Sequence, residues 1–166
     1  MFRPSIIQVV EPHERKPVAR ILALDIGKKR IGLAVTDELG ITAQGIETLE
    51  RTRIRDDMER LRRLAIERSI ETLLVGQPLH LSGSESRQSE YTKEFAERLG
   101  DFLGLPVVYW DERLTSREAE RMLQTAGASL SEKRRAIDRL SAVLLLESYL
   151  GYLTNQERAA REGSLG

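Results

Sequence analysis

The feature that most constrains this chain is a carboxylate placed at the end of an apolar strand. In residues 20–37, RILALDIGKKRIGLAVTD, two apolar runs (21–26 and 31–35) flank the polar turn Gly27-Lys28-Lys29-Arg30. Their length, their β-branched content and the glycine at the turn predict a β-hairpin. Strand side chains alternate, so Ile21, Ala23 and Asp25 share one face while Leu22, Leu24 and Ile26 share the other. Both faces are apolar, as in a central strand covered on each side. Asp25 is then expected to be buried. An unpaired buried charge costs several kcal/mol, so a cation, a metal or hydrogen-bond donors must surround it.

The global charge gives no hint of a partner. The 166 residues hold 26 Lys+Arg against 26 Asp+Glu, enough chain for one domain with a core but no net field toward nucleic acid or acidic membranes. Any anionic partner must be met by a local patch. The absence of cysteine excludes structural disulfides and thiolate metal sites. No apolar run approaches the roughly 18 residues of a membrane span, and the N-terminus lacks a signal-peptide core. A cytoplasmic protein is expected.

Residues 1–17 read as a flexible N-terminal arm, 18–153 as the folded domain, and 154–166 as a polar tail that frays. After the hairpin, 41–49 predicts a third strand with Gly45 as a bulge. Residues 53–68 carry Ile54, Met58, Leu61, Leu64 and Ala65 at helical spacing. The arginines Arg51, Arg53, Arg55, Arg60, Arg62, Arg63 and Arg68 read most simply as the solvated face of that helix. A strand over 70–75 closes at Gly76, and 77–84 is a loop. The next helix carries Tyr91, Phe95, Leu99 and Phe102 and ends before Gly104; a strand over 105–110 then finishes on Asp111 and Glu112. Capping-box spacings at Thr115–Glu118 and Ser129–Glu132 start two more helices, the last reaching about Tyr152. An opening hairpin followed by strand–helix alternation implies a mixed sheet with helices on both faces.

Acidic residues at three places in the chain fall where a solvated charge is out of place. Asp25 ends the first strand, Asp111 and Glu112 end the last, and Asp138 heads a helical stripe continued by Ala142, Leu145 and Tyr149. Convergent carboxylates repel one another unless divalent cations or shared protons lie between them. Oxygen-only ligands suit Mg²⁺ or Mn²⁺. Two such ions about 3.5–4 Å apart activate water and stabilise the leaving oxygen in phosphodiester cleavage. Each carboxylate also has an ordinary reading. Asp25 can pair with Lys28, Lys29 or Arg30, Asp111 with Arg113, and Asp138 with Arg134, Arg135 or Arg139, while Glu112 can lie on the surface. Asp37 reads as a turn residue before Gly40, His80 as a loop histidine, and Trp110 and Phe95 as core. The Ser/Gly-rich stretch 76–87, leading into a helix N-terminus, is a weak signal for a phosphate site.

Taken together, ALDIGKKRIGLAVTD, VGQPLHLSGSE, VVYWDERLTSREAE and IDRLSAVLLLESYL resemble, in order and spacing, the YqgF-type pre-16S ribosomal RNA nucleases. These are also described as Holliday-junction-resolvase-like proteins. The resemblance covers about residues 20–152. It implies an α/β, ribonuclease-H-like three-layer fold, a mixed five-stranded sheet with helices on both faces. It also implies a cytoplasmic bacterial protein that matures the 5′ end of 16S rRNA. Asp25, Glu112 (or its neighbour Asp111) and Asp138 then correspond to the acidic metal site. Asp25 would bridge two Mg²⁺ or Mn²⁺ ions, with Glu112 and Asp138 holding one each and Asp111 a spare ligand. Lys28, Lys29, Arg30, Arg87 and Arg113 would neutralise substrate phosphates at the rim. Ser141-Ala142 stands where a pair of alanines is expected, Gln77 replaces an apolar residue, and His80-Leu81-Ser82 is a variant loop.

Rival readings fit the same residues. A resolvase acting on branched DNA would favour a homodimer with two active sites facing opposite strands; the sequence itself is compatible with a monomer or a homodimer. Asp25, Gly27 and Gly32 also suit the phosphate loop of actin-like ATPases, although such proteins normally need two domains of this kind. A non-catalytic scaffold on the ribosome precursor is the third possibility.

Overall fold

The computed structural model describes residues 19–77, 87–111 and 129–164. The expected N-terminal arm, most of the loop after Gln77, the helix starting at Thr115, and the candidates Glu112 and Arg113 lie outside the described residues.

The opening hairpin forms as the alternation requires. β1 (Ile21–Ile26) pairs antiparallel with β2 (Arg30–Thr36), and β2 with β3 (Ala43–Glu50). β4 (Thr72–Gln77) and β5 (Val107–Asp111) join in parallel, giving the order β3-β2-β1-β4-β5. β1 is central. Its two faces feed two separate cores, which makes the molecule three-layered.

On one face Leu22, Leu24 and Ile26 pack under α1 (Ile54–Glu67) and α2 (Arg87–Leu103), through Met58, Leu61, Ala65, Phe95, Ala96 and Leu99. On the other, Ile21 and Ala23 pack under α3 (Leu130–Gly163), through Ala142, Leu145, Leu146 and Leu150. The two sets of strand residues follow the period of two.

Small residues on the second face set how closely α3 lies. Gly32 of β2 sits directly beneath the backbone of Asp138, so a Cβ there would collide with the Asp138 carbonyl oxygen. Gly45 is similarly covered by the side chains of Arg139 and Val143. It is not the bulge: the register slips where Ile31 pairs with Leu49 and Leu33 with Ile46, which puts the extra residue at Glu47–Thr48.

Several other expectations need correction. α3 does not stop near Tyr152 but continues to Gly163. Its last turns are rich in Gln, Glu, Arg and Ala, strong helix formers that carry no apolar stripe to signal them. β4 runs through Gly76 to Gln77, whose side-chain amide donates to the buried Ser89 hydroxyl at 3.2 Å. Ser141, in the position expected to be alanine, is buried within α3. Phe102 is exposed, and Leu103 packs on the core in its place.

Candidate active site

The hairpin turn is held by hydrogen bonds from within and from two neighbouring segments. The Gly27 amide donates to the Arg30 carbonyl at 2.9 Å, closing it. Arg51 then holds it twice: its backbone amide donates to the Lys29 carbonyl at 2.9 Å and its guanidinium to the Gly27 carbonyl at 3.1 Å. Gln88, at the start of α2, donates to the Ile26 carbonyl at 3.2 Å. Lys28, Lys29 and Arg30 are therefore presented on a fixed backbone.

Arg51 does not belong to the solvated arginine face assigned to it. Its side chain is buried, its Nε 3.5 Å from a carboxylate oxygen of the fully buried Asp57. Its guanidinium stacks over Phe95 and Tyr91, 4.6 and 5.2 Å from the ring centroids. The sequence carried no signal that separates Arg51 from its neighbours; in the structure it follows Glu50, which pairs with Arg30, so its amide falls opposite the turn. Gln88 carried none either.

Asp25 is half-buried rather than fully buried, because it sits one residue from the end of β1. Its register partner is Gly32, the glycine covered by the Asp138 backbone. Paired strand residues lie about 4.5–5.5 Å apart at Cα. Asp25 and Asp138 are thus separated by one inter-strand step and one helix-on-sheet contact, on the same face. Ala142 and Leu145, which continue the stripe from Asp138, are buried between α3 and the sheet.

Asp138 answers none of the arginines on its own helix. Arg30 Nε donates to Asp138 Oδ2 at 2.8 Å, joining the first residue of β2 to the third turn of α3. Around this pair lies an open depression of about 350 Å³, lined by Gly27, Lys28, Lys29, Arg30, Arg134 and Asp138. Four cations border one carboxylate there, on a chain with no net charge. Arg134 joins the rim cations singled out from sequence.

Asp111 is not brought to this face by the register. Val107 and Tyr109 pack with the α1–α2 core and Val108 and Trp110 with the α3 core, so Asp111 shares parity with the former. Trp110 is half-buried rather than core, its indole N–H donating to the Ser148 hydroxyl at 3.0 Å beside Tyr149 and Tyr152. Phe95 is core as expected. Arg87 is exposed at the start of α2. Asp37 is a turn residue, its carboxylate accepting from the Ile41 and Thr42 amides at 2.7 and 3.1 Å. Among the described residues no three His, Cys, Asp or Glu side chains gather closely enough to hold a metal ion. Of the candidate carboxylates, the described residues bring Asp25 and Asp138 to one face.

The family described as RuvX, Holliday junction resolvase, matches residues 19–152. This chain belongs to the RuvX family. A protein of Koribacter versatilis named "Putative pre-16S rRNA nuclease" is 50% identical over 131 residues, 79% of this chain and 86% of the relative. One of the same name from Syntrophus aciditrophicus is 44% identical over 138 residues, 83% of this chain and 92% of that one. Among solved structures, fowlpox virus resolvase in complex with Holliday junction DNA superposes with a TM-score of 0.51 at 14% identity, covering 81% of this chain and 98% of that one. The fold of this RuvX-family chain is ribonuclease-H-like.

Proposed function

We propose that this chain is a metal-dependent nuclease that trims the 5′ end of pre-16S rRNA on the ribosome precursor in the cytoplasm. The observation that carries the reading is the placement of Asp25 and Asp138 on one sheet face, with Asp138 in a depression bordered by four cations. High identity over most of their length to relatives named for that substrate supports the choice of RNA.

The donor set fits a hard divalent cation. Asp25 and Asp138 offer only oxygen, and Asp138 already accepts a cation in the form of Arg30. We assign Mg²⁺ or Mn²⁺ to Asp25 and Asp138, with Glu112 as the third carboxylate, since Asp111 has the parity of the opposite face. Bound there, the metal would supply Lewis-acid polarisation of the phosphodiester and a more acidic water. The chain's own part is positioning and charge. Lys28, Lys29 and Arg134 would grip the phosphates flanking the scissile bond, and Arg51 and Gln88 keep the turn from yielding as they do so. Arg87 and Arg113 are proposed as further phosphate contacts. Trimming a single strand needs one site, so the proposal does not require a dimer.

The test is purified protein with end-labelled pre-16S leader RNA and, separately, a DNA four-way junction, each with Mg²⁺, Mn²⁺ or EDTA. Metal-dependent cleavage of the RNA at its 5′ leader supports the proposal. Paired symmetric cuts in the junction with the RNA intact would replace it with a resolvase.

A further inference from the structure

We propose that Arg30 is the resident counter-cation of Asp138, which an incoming divalent ion displaces, so that metal loading hands the guanidinium to the substrate phosphate. The inference rests on Asp138 being a metal ligand, as proposed above. It adds what that ligand does before the metal arrives and what its first partner does afterwards.

The pair has the geometry of an exchangeable contact. At 2.8 Å it is a charge-assisted hydrogen bond, but it joins one N–H to one oxygen rather than two in parallel. Both side chains are about one-quarter exposed, at 23% and 25%, so water can reach the pair and solvent screening leaves it weakly held. A divalent ion brings twice the charge to the same oxygens and repels the guanidinium it replaces.

The surroundings decide where Arg30 can go. Its backbone is fixed by the Gly27–Arg30 turn bond and by the grip of Arg51 and Gln88 on the residues before it. Asp138 is fixed by the contact of its own backbone on Gly32. The pair therefore exchanges by side-chain rotation alone. Once released, Arg30 remains in the depression it shares with Lys28, Lys29 and Arg134, where an anion would be met. Metal and phosphate then favour each other's binding through one residue, and linkage requires the effect to be mutual.

The experiment follows the Arg30 Nε–H resonance in the ¹H–¹⁵N spectrum of the full chain, assigned by its loss in Arg30→Met, while Mg²⁺ is added without substrate. Calorimetry gives the Mg²⁺ affinity of wild type, Arg30→Met, Lys29→Met and Asp138→Asn. Lys29→Met removes an equal charge from the same turn. The proposal expects Mg²⁺ to shift the Arg30 resonance to its position in Asp138→Asn, with the midpoint of the calorimetric titration. It also expects Arg30→Met to bind Mg²⁺ at least about fivefold more tightly than Lys29→Met, a coupling of ordinary size. Mg²⁺ binding that needs Asp138 but leaves the Arg30 resonance in place would overturn the exchange and keep the metal site. So would an Arg30→Met affinity no higher than that of Lys29→Met. If wild type binds no Mg²⁺ while the resonance still shifts in Asp138→Asn, the pair exists and the metal-site reading itself has failed.

Discussion

Arg51 and Asp57 form a buried ion pair directly behind the hairpin turn, with side chains 6% and 0% exposed and Nε 3.5 Å from Oδ2. The distance is long for a hydrogen bond, and the other carboxylate oxygen takes those, from the Thr52 amide and hydroxyl at 3.0 and 3.1 Å. Arg51 therefore joins three things: the start of α1, the aromatic residues of α2, and the turn that carries the candidate phosphate ligands. Replacing it by Met leaves Asp57 as an uncompensated buried charge, for which a loss of about 3–5 kcal/mol is expected. Urea unfolding of Arg51→Met, Asp57→Asn and the double variant checks this. The double variant should lose less than the sum of the singles.

Gly32 sets the approach of α3 to the sheet. A methyl group there meets the Asp138 backbone, not a flexible side-chain end, so Gly32→Ala must push the helix away. A loss of about 1–3 kcal/mol is expected from overpacking of this kind. Because Asp25 faces Gly32, Mg²⁺ affinity should fall in the same variant even where it remains folded. Unchanged affinity in a destabilised variant would separate the helix contact from the site.

The rim cations predict a salt dependence. For single-stranded RNA, each phosphate neutralised contributes about 0.7 to the slope of log affinity against log salt. Lys28→Ala and Arg134→Ala should each reduce the slope by about that amount, measured by anisotropy in EDTA so that nothing is cut. Slopes equal to wild type would remove those residues from the interface.

Two carboxylates predict the acid behaviour of the fold. Hydrogen bonds from the Thr42 and Ile41 amides lower the Asp37 pKa below its ordinary 3.8, and the capping hydrogen bonds with Ser129 lower that of Glu132 below 4.5. A lowered folded-state value means the stabilisation is complete above the unfolded value and disappears as pH falls through the folded one. Asp37→Asn should therefore melt below wild type at pH 7, and the gap should close as pH drops below about 3.8. Thermal melts from pH 7 to 3 test the sign. A gap that widens toward low pH contradicts it.

The parts of the fold set by period were legible in the sequence, and the parts set by tertiary pairing were not. Alternation in β1 separated Ile21 and Ala23 from Leu22, Leu24 and Ile26, and the structure sends the two sets to different cores. The stripe from Asp138 through Ala142 and Leu145 put that carboxylate over the sheet. The same alternation in VVYWD was enough to place Asp111 with Val107 and Tyr109, had Trp110 been assigned to the α3 side. The partner of Asp138 was beyond reach, because Arg30 stands 108 positions away and local arginines were equally plausible. Arg51 looked like its six neighbouring arginines until burial told it apart. The last turns of α3 escaped because a helix with no apolar face leaves no periodic trace.

In the proposed function, Asp25 and Asp138 form one metal-dependent centre for cutting pre-16S leader RNA. Single-turnover cleavage by wild type, Asp25→Asn and Asp138→Asn, each confirmed folded by its melting curve, tests it most directly. Wild type should cleave in a Mg²⁺-dependent manner and each variant should lose at least about a hundredfold, with RNA binding in EDTA retained. Cleavage by Asp25→Asn at the wild-type rate would contradict it and move the chemistry away from the strand end on which the site is built.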